Sequence, residues 1–335
     1  MSPPSPWTPL TDAARSEPRL LDRVRLAVRA RHYSRRTEDA YVGWVRRFVL
    51  FHGKRHPIDM GEKEINLFLS DLAVRHRVAA STQNQALAAL LFLYRNVLER
   101  PEPSIENVVR ASRPTRLPTV MTRAEVKRTL AEMEGIPRLV ATLLYGTGMR
   151  LLECLRLRVK DLDFANGSIT VRDAKGQKDR IVPFPTVVRP ALVTWLAGVR
   201  RSYESDRAAE VPGVSLPDAL ARKYPGAPLE WGWQWAFPAP TLSTDPRTGT
   251  VRRHHLHERS IQRAVQEALR KAKIRKPVSC HTFRHSFATQ LIADGYDIRT
   301  VQELLGHSSV TTTMIYTHVL NRAGGRGVRS PADAL

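Results

Sequence analysis

Residues 280–290 read CHTFRHSFATQ and residues 304–319 read LLGHSSVTTTMIYTHV, and these two stretches decide the character of the C-terminal half of the chain. In the first, His281 and Arg284 stand three apart, so a helix beginning there carries both on one face. A helix start also leaves amide hydrogens free for an anion such as phosphate. His281 and His285 have the i, i+4 spacing of a zinc helix. The carboxylate of the H-E-x-x-H pattern is missing, however, and Arg284 would repel a cation, so no metal is expected. In the second stretch Gly306 suits a left-handed helix C-cap, which puts His307 just past the helix end and lets Ser308 or Ser309 cap the next helix. That helix brings in Tyr316, which on its own reads more readily as a core aromatic than as a nucleophile.

Upstream, residues 143–157, LLYGTGMRLLECLRL, place Arg150 after a Gly-Thr-Gly turn at the start of another helix, with Glu153 as its simplest partner. Strand-like runs at 168–171 and 180–183 flank residues 173–179, a hairpin with a Lys-Gly tip. Helical spacing covers 125–133, 139–145, 261–272, 282–293, 298–305 and 310–318. From about 191 to 257 the chain reads as irregular and aromatic, with Trp231, Trp233, Trp235 and Phe237 close together.

The N-terminal third reads differently. Residues 1–18 carry five prolines and predict an irregular arm. Residues 19–99 have helical spacing throughout: Leu21, Val24 and Val28 form one stripe, and Ser34 caps a helix burying Ala40, Tyr41, Trp44, Val45 and Phe48. Ile65, Phe68, Leu69 and Leu72 form a third stripe. Thr82 and Gln85 have capping-box spacing ahead of Leu87, Leu90, Leu91, Tyr94 and Val97. Residues 100–118 mix prolines with arginines and predict an extended basic linker, with the domain boundary near 112. The fold class expected is therefore α+β and mainly helical: an all-helical N-terminal domain, then a mixed domain over 119–335 with a small β-sheet.

At 335 residues two domains are the natural expectation, and 42% apolar with 25% charged residues is an ordinary soluble composition. No apolar run is long enough to cross a membrane, and MSPPSPWTPL has neither the basic start nor the apolar run of a secretory signal. A cytoplasmic protein is expected. Two cysteines, Cys154 and Cys280, make no disulfide framework. A net charge of +21, with both halves basic, points to a polyanionic partner.

Taken together, the ordered set Arg150, Lys175, His281-x-x-Arg284, His307 and Tyr316 resembles the tyrosine recombinases, through TGMR, AKGQKDR, HTFRHSFAT and LLGHSSVTTTMIYTHV. The resemblance spans about 20 to 320. It implies a bacterial enzyme that cleaves and rejoins DNA through a 3′-phosphotyrosyl intermediate, with a helical core-binding (SAM-like) domain and a catalytic domain. Charge builds on the two non-bridging oxygens during attack, and Arg150 and Arg284 offer permanently charged, two-pronged donors to them. A phenol with a pKa of about 10 needs a proton acceptor at neutral pH, and His281 is the best candidate on sequence. By resemblance His307 adds a hydrogen bond to the phosphate, Lys175 protonates the leaving oxygen and Glu153 orients the site. No cofactor is implied, because the phosphotyrosyl bond retains the energy needed for rejoining.

The stretch from WGWQWAF through STDP to VRRHHLHE resembles integron integrases, whose extra segment grips bases bulging from a folded single strand. Carried over by position, the contacts to extrahelical bases fall on Trp233, Pro246, His254 and His255, and the insertion on about 191–257. On composition alone, a surface insertion with its own small aromatic core fits equally well. The family further implies a homo-tetramer on DNA and a tail, 320–335, that packs on a neighbouring subunit.

Overall fold

The computed structural model describes residues 18–101, 103, 108–111, 118–174 and 178–317. The chain divides into two units, Met1–Arg116 and Leu117–Leu335. The arm up to residue 17, the hairpin tip with Lys175 and the tail 320–335 lie outside the described residues.

Among the described residues the first unit holds four α-helices, α1 (Leu20–Ala30), α2 (Arg35–Phe51), α3 (Glu62–Val74) and α4 (Ala80–Asn96). Ser34 caps α2 by accepting the Thr37 amide, and the expected stripes bury Val24, Val28, Trp44, Val45, Phe48, Ile65, Phe68, Leu69 and Leu72. Two expectations need correction. Thr82 and Gln85 do not open a helix: α4 starts at Ala80, and Gln85 instead accepts the Trp44 indole N–H at 3.1 Å. Within the predicted linker, residues 108–111 are tied to the bundle, because buried Gln83 donates to the Val109 carbonyl at 2.7 Å and accepts from the Ala111 amide at 2.9 Å.

The second unit mixes helices with two small sheets. Helices α5 (Arg123–Ala131), α6 (Gly135–Thr147) and α7 (Leu151–Leu155) lead into β1 (Leu162–Asp163), β2 (Ser168–Ala174) and β3 (Lys178–Pro183), an antiparallel sheet in that order. Its inner residues Ile169, Val171 and Val182 join Leu143, Leu144, Phe237, Val265 and Phe283 in one core. The stretch expected to be irregular opens instead with a twenty-residue helix, α8 (Arg189–Ala208), followed by α9 (Asp218–Lys223) and the hairpin β4 (Pro238–Thr244) and β5 (Val251–His255). Helices α10 (Glu258–Lys271), α11 (Cys280–Ala293), α12 (Ile298–Leu305) and α13 (Val310–Met314) complete it. Among the described residues no helix is long and apolar enough to cross a membrane.

Candidate active site

Two left-handed glycines set the geometry. Gly148 ends α6 at φ 67°, and a Cβ there would lie 2.5 Å from the Phe287 ring, so only glycine lets α6 meet α11 so closely. The turn that follows makes Arg150 the N-cap residue of α7. Gly306 ends α12 at φ 63°, and Ser309 then caps α13 by accepting the Thr311 amide.

Arg150 and Glu153 form the expected pair: Glu153 accepts the Arg150 backbone N–H at 2.8 Å and its guanidinium at 2.6 Å. A third partner was not anticipated. Arg180 on β3 donates to Glu153 at 2.6 Å and, through Nε, to the Leu304 carbonyl at 2.8 Å. Burial would raise the Glu153 pKa, but the hydrogen bond and charge of Arg180, with help from Arg150, hold it below the ordinary carboxylate value. The strand alternation contained the clue, since Arg180 shares a face with buried Val182 while Ile181 points out.

Arg284 is only 1% exposed. Its two terminal nitrogens donate to the carbonyls of Gly148 and Leu305, both at 2.6 Å, while among the described residues its buried Nε has no partner. Burial, reinforced by the like charge of Arg150, lowers its pKa to about 10, so it stays charged at neutral pH.

Tyr316, also 1% exposed, packs in a small cluster with Phe287, Ala288, Ile292, Val301 and Leu305. Its hydroxyl lies 2.9 Å from His285 Nδ1, so the imidazole that meets it is His285, not the His281 expected from sequence. His281 is one turn earlier on α11 and exposed, its ring edge-on to His285 with centroids 4.6 Å apart. His307 stacks nearly parallel to the Tyr316 ring at 6.4 Å and is held by the Thr313 hydroxyl at 2.9 Å from its Nδ1. Burial and then nearby positive charge lower the pKa of His285 and of His307 to about 4, and the same causes lower that of His281. Burial raises the Tyr316 pKa, against the pull of Arg284 and Arg150. Among the described residues no group of three or more His, Cys, Asp or Glu could hold a metal ion.

In the insertion, His254 and His255 lie with ring centroids 4.2 Å apart and 5.6 and 5.2 Å from buried Trp235. Arg158 covers Trp235, its guanidinium carbon 3.2 Å from the centroid, and donates to the carbonyls of Trp233 and Ser215. Trp233 is half-buried, with the Lys160 ammonium 2.8 Å from its ring centroid. Pro246 is exposed in the β4–β5 turn. The rings around Trp235 thus form a small aromatic core, with His254 exposed at its edge.

The chain belongs to the phage integrase family, the tyrosine recombinases: that family's model matches residues 119–322. A model of the phage integrase N-terminal SAM-like domain matches residues 20–103. An integrase/recombinase of Escherichia coli is 54% identical over 317 residues, spanning 95% of this chain and 94% of the relative. The tyrosine recombinase XerA of Thermococcus kodakarensis is 32% identical over 282 residues, 83% of each chain. Among solved structures, XerH bound to its difH substrate before cleavage matches with a TM-score of 0.59 at 22% identity, over 90% of this chain and 82% of that one. The core-site complex of lambda integrase matches with a TM-score of 0.57 at 16% identity, over 89% and 93%. At these identities the likeness is one of fold.

Proposed function

We propose that the chain is a site-specific DNA recombinase that cleaves and rejoins strands through a 3′-phosphotyrosyl bond at Tyr316, and that its targets are integron cassette sites, including folded single strands with extrahelical bases. The observation that carries the reading is the gathering of Arg150, Arg284, His285 and His307 about one tyrosine, with His281 against His285 and the Gly148 and Leu305 carbonyls holding Arg284. Arg150 and Arg284 neutralise the non-bridging oxygens as charge develops. Exposed His281 faces the incoming DNA, His307 adds a hydrogen bond to the phosphate, Glu153 fixes Arg150, and Lys175 protonates the departing 5′ oxygen.

The helical unit, 19–99, and the catalytic unit, 119–335, both bind DNA in this reading, and four copies assemble on two sites. The net charge of +21 suits that partner. No cofactor takes part. The insertion supplies Trp233, Pro246, His254 and His255 to extruded bases by stacking. The aromatic core around Trp235 supports a second reading, in which the insertion only supports the fold and the substrate is an ordinary duplex.

One experiment tests both. Wild type and Tyr316→Phe are incubated with randomised pools of nicked duplexes and bulged hairpins, and DNA joined to denatured protein is recovered and sequenced. An adduct made by wild type and lost in Tyr316→Phe is expected, and its absence from both pools removes the enzyme reading. Loss of hairpin adducts, with duplex adducts spared, in a Trp233→Ala/His255→Ala variant is the integron result. Equal loss on both pools, or none, favours the duplex reading.

A further inference from the structure

We infer that His285 aims the Tyr316 hydroxyl and takes up its proton as the phosphotyrosyl bond forms, an assignment that rests on the recombinase reading above. Two imidazoles, His285 and His307, lie against the Tyr316 ring and a third, His281, abuts His285, and they are not equivalent. His307 lies flat along the ring and its Nδ1 is engaged by Thr313 at 2.9 Å. His281 is exposed and stands edge-on to His285. Among the described residues only His285, half-buried one turn further along α11, has a ring nitrogen at hydrogen-bond distance from the hydroxyl, 2.9 Å. The phenol is the natural donor at neutral pH, which makes Nδ1 the acceptor and puts the imidazole hydrogen on Nε2.

The step balances without a further reagent. The Tyr316 oxygen bonds to phosphorus as the bond from phosphorus to the 5′ oxygen breaks. The phenolic proton passes to His285 Nδ1, and the 5′ oxygen receives a proton from the leaving-group donor, Lys175. Rejoining runs the same steps backward. Arg284, on the same helix, opposes an imidazolium at His285 while no DNA is present, as does His281 when protonated; Arg284 and Arg150 act on Tyr316, and His307 lies along its ring. Burial and these neighbours hold His285 near 4 and burial raises Tyr316, so the proton does not move ahead of the attack. A phosphate anion arriving between the two arginines offsets that charge and makes the acceptor competent at the moment it is needed.

The test uses the full chain and the DNA sequence recovered from the wild-type adduct. His285→Asn and His285→Gln keep a polar group near the hydroxyl but have no basicity near neutral pH. Thermal melts and a DNA-binding titration select variants that fold and bind. Single-turnover cleavage at pH 7 is expected to fall about 100-fold or more. It should then recover roughly tenfold per pH unit above pH 8 as tyrosinate forms, a recovery that a purely structural role would not produce. The loss should persist on DNA with a 5′-bridging sulfur, whose thiolate departs without a proton.

Cleavage within about threefold of wild type, loss without recovery at high pH, or rescue by the bridging sulfur overturns the assignment. So does finding the pH-recovered loss in His281→Asn instead. If wild type itself makes no Tyr316-dependent adduct, the recombinase reading fails first, and the two failures are distinguishable.

Discussion

Replacing Arg180 by alanine removes one partner from a buried ion pair whose side chains are 8% and 9% exposed. Breaking such a pair leaves an uncompensated charge and costs about 3–5 kcal/mol. Glu153 keeps the Arg150 guanidinium at 2.6 Å and the Arg150 amide at 2.8 Å, which places the loss at the low end, about 3 kcal/mol. For a unit of this size that corresponds to a fall in Tm of roughly 6–12 °C. Urea unfolding of the full chain at pH 7, followed by a probe in the second unit, measures it. The pH dependence provides a second check. Glu153 has a lowered folded pKa, so its contribution is complete above the unfolded value of about 4.3 and is lost as pH falls through the folded one. The penalty of Arg180→Ala should therefore shrink in acid and should be smaller in a Glu153→Gln background, where no buried charge is abandoned. A loss under about 1 kcal/mol at pH 7, or one of the same size in both backgrounds, would refute the reasoning.

Other perturbations give separable results. Gly148→Ala must place a Cβ at φ 67° and 2.5 Å from Phe287, so thermal melts should show a loss of about 2–4 kcal/mol. Arg158→Ala abandons the Trp233 and Ser215 carbonyls and uncovers Trp235; about 2–3 kcal/mol should be lost, with a change in tryptophan fluorescence. His255, His285 and His307 have folded pKa values lowered to about 4, so unfolding takes up protons below the unfolded value of about 6.5. Stability should be full above that value and fall as pH drops toward 4, and a urea series should show a shallower fall in His307→Asn.

Much of this was legible because it is local. The four helices of the first unit follow apolar spacing, and the turns at Gly148 and Gly306 follow from glycine's access to the left-handed region. Helix α8 was legible but passed over: Leu192, Leu196 and Val199 have helical spacing, and Pro190 falls in the first turn where proline is tolerated. The aromatic run that follows, Trp231 to Phe237, has no such spacing and masks the boundary between the two. Thr82 and Gln85 show the opposite error, a local signal overridden when Trp44, 41 residues away from Gln85, supplied a better partner. The histidine that meets Tyr316 was not a local question. His281 and His285 sit on one helix, and the choice between them depends on the side from which a residue 31 positions away arrives.

The last carbonyls of α12 hold two arginines from different parts of the fold, Arg180 at Leu304 and Arg284 at Leu305. Each satisfies an acceptor that a helix end leaves open and lies at the negative pole of the helix. The end of α12 is therefore a fixed datum, and Gly306 is a seam. Everything that orients the arginines lies before it, while His307, α13 and Tyr316 lie after it. A chimera joined at this seam would exchange the nucleophile-bearing segment while leaving the arginine scaffold intact, making the two halves of the site separable parts for engineering.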